Sequence, residues 1–166
     1  MAKPRGFSLI ELLVVVAVIL VLCAIAVAHY RQARIAANQA SAVASIHAIN
    51  VAESTYVLAY PQAGYSPTLV NLGSNGSDCN NLTTSNACLL DPSLAAGVKN
   101  GYVFDLAGDG NIPDASYTLT ATPEAPGVTG MCIYTSSQSA QIERGAVAVN
   151  SGRLSAGATD AGCTGH

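Results

Sequence analysis

Charge is scarce in this chain, and where it is missing matters more than how little there is. Only 10% of the 166 residues are charged, and none lies between Glu11 and Arg31. Leu12 to Ala28 reads LLVVVAVILVLCAIAVA without one polar side chain. Glycine and proline are both missing from Phe7 to Tyr60, so nothing in that stretch interrupts a helix. No GxSxG, HExxH or P-loop pattern occurs, and His29, His47 and His166 have no carboxylate or serine at a catalytic spacing. These absences argue against an enzyme. With a formal net charge of −3, there is no basic surplus to hold nucleic acid.

The apolar run is what remains when those classes are set aside. Residues 7–28 as a helix reach roughly 33 Å, enough for a bilayer core of about 30 Å. Lys3 and Arg5 precede the run and hold the N-terminus on the cytoplasmic side, which sends everything after Ala28 outward. Cysteine usage agrees with export. Cys23 lies inside the run, while Cys79, Cys88, Cys132 and Cys163 form an even set beyond it, the pattern of a disulfide-permissive compartment. Of the three possible pairings we favour Cys79 with Cys88 and Cys132 with Cys163, each being nearest in sequence. A metal site is the competing use of four cysteines, but no CxxC pair and no histidine at ligand spacing accompanies them.

An ordinary secretory signal would account for a basic start and an apolar core, with Ala26-Val27-Ala28 as its cleavage site. That reading predicts a secreted binding domain released after Ala28. It leaves Glu11 unexplained, because a carboxylate inside hydrocarbon costs roughly 2.5 to 3.5 kcal/mol on insertion scales and asks for a partner or a function. A cut between Gly6 and Phe7 supplies the partner. It creates an α-amino group on Phe7, and Glu11 lies four residues on, along the same helical face.

With these residues in view, RGFSLIELLVVVAVI resembles the processing site of type IV prepilins and type II secretion pseudopilins. The resemblance covers roughly residues 1–60. It implies that a membrane-embedded aspartyl prepilin peptidase cuts after Gly6 and N-methylates Phe7. It also implies that Glu11 pairs with the Phe7 amine of an adjacent subunit, setting register in a growing filament. The implied partners are copies of the chain itself as a helical homopolymer, the peptidase and methyltransferase, an inner-membrane assembly platform, and the membrane before assembly. The implied location is the bacterial inner membrane first and an extracellular filament at the cell surface afterwards. No cofactor is implied. A type II secretion pseudopilin or minor pilin shares the motif and stands as the alternative to a pilus subunit. Many type IV pilins carry a helix-weakening glycine and proline in this region, and their absence here favours one continuous helix.

Past Ala28 the sequence stays Ala-rich, and Ile35, Ala42, Val43, Ile46, Ile49, Ala52, Tyr56 and Val57 recur at three- and four-residue steps. A helix over residues 7–60 is expected, with an outer half, 29–60, that a folded domain covers. From Pro61 to about residue 100 the chain turns to Gly, Ser, Asn, Pro and Thr and reads as a loop region. Strands are expected at Gly101–Leu106, Ser116–Thr122 and Met131–Thr135, with Ala146–Asn150 as a further candidate. The fold class is therefore α+β: a long N-terminal helix packed on a small antiparallel sheet, with loop disulfides. The divisions are a leader at 1–6, a transmembrane helix at 7–28, the outer helix at 29–60, loops at 61–100, and sheet with a C-terminal disulfide loop at 101–166.

Two weaker patterns remain. Asp105, Asp109, Asn111 and Asp114 crowd oxygen ligands around Gly108 and Gly110, a weak calcium candidate that a plain Asp-Gly turn explains with less. Asn75-Gly76-Ser77 and Asn81-Leu82-Thr83 are glycosylation sequons by pattern and read here as turns.

Overall fold

The computed structural model describes residues 7–74, 79–150, 153–158 and 163. The chain divides into two compact units, residues 1–34 and 35–166, and one helix, α1 (Leu9–Ala59), contributes to both. The absence of glycine and proline throughout accounts for its length. Its last turn closes as the Tyr60 N–H donates to the Tyr56 carbonyl at 2.8 Å, and Pro61 stops it by lacking an amide donor.

In the first unit α1 has no cover. Every large apolar side chain from Leu9 to Val27 is exposed, and the helix is long and apolar enough to cross a membrane.

The second unit has a core. Six strands, β1 (Val98–Lys99), β2 (Tyr102–Gly108), β3 (Tyr117–Pro123), β4 (Cys132–Ser137), β5 (Ile142–Asn150) and β6 (Arg153–Ala158), form one sheet in chain order. Each pairs antiparallel with the next. The period-two alternation of strands sorts the faces: Tyr102, Phe104 and Leu106 of β2 and Tyr117, Leu119 and Ala121 of β3 point inward. They meet Ala42, Ile46, Ile49, Ala52 and Tyr56 of α1 in one cluster. Ile35, Val43 and Val57 of the expected stripe are only half-buried.

That helical face is more polar than its stripe suggests. Ser45, Asn50 and Glu53 are buried with it. Asn50 is satisfied on both sides, accepting from the Tyr117 hydroxyl at 3.0 Å and donating to Ser136 Oγ at 2.9 Å. The helix is thereby fixed to β3 and β4 by directional bonds that a purely apolar contact does not supply.

The expectation of a plain loop region at 61–100 needs amending. It carries two one-turn helices, α2 (Leu69–Leu72) and α3 (Pro92–Ala95), as well as β1. Leu69, Leu72, Leu94 and Ala95 are buried, so these turns exist to insert apolar side chains into the core. Asp91 caps α3 by accepting from the Ser93 and Leu94 amides, with Pro92 opening it. A hydrogen bond from Ser93 and the Lys99 ammonium at 2.9 Å hold the Asp91 carboxyl down to about 2.

Cys79 is bonded to Cys88 and Cys132 to Cys163. The first bridge lies in a loop whose Thr84 carbonyl accepts from the Tyr56 hydroxyl at 2.8 Å. The second is buried: both of its cysteines join the core cluster, and Gln39 Nε2 of α1 lies 3.2 Å from Cys132 Sγ.

Gly64 and Gly110 test how closely these parts approach. Both have left-handed backbone, with φ of +79° and +80°, which costs any other residue roughly 1 kcal/mol. A Cβ on Gly64 would overlap the backbone of Asp114, whereas one on Gly110 meets nothing. Chemical denaturation should therefore show Gly110→Ala losing about 1 kcal/mol and Gly64→Ala losing about 3 kcal/mol or more. Equal losses would mean that the Gly64–Asp114 contact is not tight.

Candidate processing and assembly site

The candidate site is built from the start of α1. Phe7 and Ser8 precede the helix, and the Ser8 carbonyl accepts from the Glu11 and Leu12 amides at 3.1 and 3.2 Å. Glu11 therefore stands in the first turn, where a carboxylate complements the positive end of the helix dipole. Phe7 is 79% exposed and Glu11 is exposed as well. Gly6 and the rest of the leader lie outside the described residues. Among the described residues Glu11 forms no ion pair.

The chemical content of this arrangement is narrow. A single carboxylate tops a helix whose next nineteen residues carry no charge. It offers no nucleophile beside a base, and it can do little except accept protons, hydrogen bonds or a cation. Its distinctive feature is position: an acid one turn from the point where a new terminus would form.

The other predicted site residues are distributed as follows. Asp105 lies in β2 opposite Thr120 and is exposed. Asp109, Asn111 and Asp114 occupy the β2–β3 turn, where the carboxylates serve the backbone. Asp109 accepts from the Asn111 amide at 2.9 Å and the Ala115 amide at 3.1 Å, and Asp114 accepts from the Gly110 amide at 2.9 Å. The Asn111 amide leads in drawing Asp109 down to about 2. Among the described residues no group of three or more His, Cys, Asp or Glu side chains could hold a metal ion. The first sequon and His166 fall outside the described residues; Asn81, Leu82 and Thr83 lie in the exposed loop closed by Cys79 and Cys88.

Sequence reasoning missed Glu53, which is completely buried. The signal was present: Glu53 follows Ile49 by four residues, as Asn50 follows Ile46, so both share the covered face.

One family model matches the chain: the prokaryotic N-terminal methylation motif, over residues 1–27. No curated protein and no solved structure matches it. The chain thus carries the type IV prepilin signature, and it does so at the head of a type IV pilin-like α+β fold. The motif supports a type IV pilin-like or pseudopilin-like protein, and the N-terminal apolar helix fits the membrane anchoring of a prepilin.

Because the turn carboxylates are engaged with backbone amides, chelation should leave the fold alone. Thermal unfolding with and without EDTA is expected to superimpose. A fall in melting temperature that added calcium reverses would show that the turn binds the ion.

Proposed function

We propose that this chain is a structural subunit of a type IV pilus. It is made as a prepilin, cut by prepilin peptidase between Gly6 and Phe7, N-methylated on Phe7, and polymerised with copies of itself. It is not a catalyst. The observation that carries this reading is Glu11, the lone charge in a run of apolar helix, placed in the first turn four residues from Phe7.

The energetics follow from the chemistry. Before assembly the segment from Phe7 to Ala28 rests in the inner membrane with its side chains covered by lipid. Leaving lipid for water would expose each large apolar side chain at about 1.5–3 kcal/mol apiece, so the helix leaves only into contact with other helices. An unpaired carboxylate resists burial in such a bundle, and a neighbouring subunit's Phe7 amine relieves it. Methylation retains the positive charge of that amine. Register is set because only one offset between neighbours brings amine and carboxylate together.

Once the leader has left with Lys3 and Arg5, five basic residues face ten acidic ones. That balance favours a protein partner over nucleic acid. The assembly platform of the inner membrane would receive the processed helix, and the second unit would lie on the extracellular side.

Two variants separate processing from assembly. Glu11→Ala should be cut and retained in the membrane fraction, yet yield on the order of tenfold fewer sheared filaments or less still. Removing one partner of a buried pair costs about 3–5 kcal/mol. Normal filament yield in that variant would defeat the role given to Glu11. Gly6→Leu should instead accumulate as full-length precursor on immunoblots, and its normal maturation would place the cut elsewhere.

A further inference from the structure

Three segments of the second unit meet near the C-terminal end of α1. The connection from α1 to α2 pairs with the β2–β3 turn through a parallel bridge between Gly64 and Asp114. In it the Tyr65 amide donates to the Asp114 carbonyl at 3.0 Å, and the Asp114 amide donates to the Ala63 carbonyl at 2.9 Å. The same connection is tied to α1 by one side chain. Glu53 Oε2 accepts from the Ser66 amide at 2.9 Å, and Glu53 and Ser66 are both 0% exposed. The other oxygen, Oε1, is buried without a partner.

A carboxylate held this way is costly when charged, because desolvation of an ion far exceeds that of a neutral acid and one amide is poor compensation. Among the described residues no cation offsets it. Among the described residues the ion pair is Lys99 with Asp91. The titratable groups facing Glu53 are Asp114 of the turn, Tyr56 of α1 and Tyr117 of β3. None of them carries positive charge, and Asp114 opposes a second negative one.

We propose that Glu53 is a proton-operated latch: protonated, it holds the α1–α2 connection against the helix and the β2–β3 turn, and ionised, it lets that junction open. The direction is set by burial, which raises the Glu53 carboxyl from 4.5 to about 7, helped by Asp114 and opposed by the Ser66 amide. Burial also raises Asp114, and its hydrogen bond with Asp109 adds to the rise. Tyr117 is pushed up to about 12 and Tyr56 is raised too, so neither ionises in the working range. A folded-state value above the unfolded one means that the native state holds the extra proton. The latch is therefore fully closed below about pH 4.5 and is lost as pH rises through about 7. A filament or membrane-bound subunit built on this junction is tightest in acid and loosens in alkaline surroundings.

Amide exchange by NMR on the full chain in detergent micelles, between pH 5 and 9, reads the junction directly. Protection factors, already corrected for base-catalysed intrinsic exchange, should fall on the order of tenfold or more at Tyr65, Ser66 and Asp114, with a midpoint between 4.5 and about 7 and a plateau at higher pH. Those of Leu89 and Phe104, whose amides bond elsewhere, should hold. Glu53→Gln should flatten the profile at the three junction amides. Constant protection there in the wild type, or a fall shared equally by Leu89 and Phe104, would overturn the latch. If the Gln variant fails to fold, the wild-type contrast between the two sets of amides decides alone. An unchanged midpoint in a folded Gln variant would assign the titration to another group.

Discussion

An all-round apolar helix that has no cover of its own is the constraint on which the rest of this protein depends. From Leu9 to Val27 every large side chain of α1 is exposed, and water is the one environment in which that surface is untenable. The segment therefore needs an apolar surrounding, which the function proposed above supplies first as lipid and then as neighbouring helices. Under the same proposal, its single carboxylate, one turn from the start, makes that passage specific, because a purely apolar run has no preferred register against its neighbours.

From Ile35 onward, the same helix meets a different requirement. Its inward face supplies Ile46, Ile49 and Tyr56 to the core, and between them it places Asn50 and Glu53. Each buried polar group makes the packing directional. Asn50 is bonded to Tyr117 and Ser136, so sliding or rotating the helix would strand three polar groups at once. Glu53 is only half satisfied, which makes that end of the helix the place where the packing responds to protons.

Much of this architecture is legible in the residues. The missing glycine and proline foretell one helix to Tyr60, and it ends at Ala59. Alternation foretells β2, β3 and β4 to within two residues at each end; β2 and β3 have one covered face and one more open one, whereas β4 buries Cys132, Ile133 and Tyr134 in succession. Ile142 to Gly145 and Arg153 to Ala158 went unread as strand. The first adds only one half-buried apolar side chain at Ile142, and the second is broken by Ser155 and Gly157, so neither shows the pattern. The short helices α2 and α3 were hidden for another reason: four residues are too few for a period, and their buried leucines look like loop leucines until the core they fill is known. The N-terminal motif is legible because it is a local pattern of neighbours in sequence. The burial of Glu53 can be read from its spacing to Ile49, but its role cannot, since that depends on Ser66 and Asp114 arriving beside it through folding.

In the function proposed above, the chain is cut after Gly6 and keeps its apolar helix. Mass spectrometry of the intact mature protein, with sequencing of its first residues, tests it most directly. The mature chain is expected to begin at Phe7 and to carry a methyl group on its amine. A mature chain that begins at His29, with the helix removed, would contradict it.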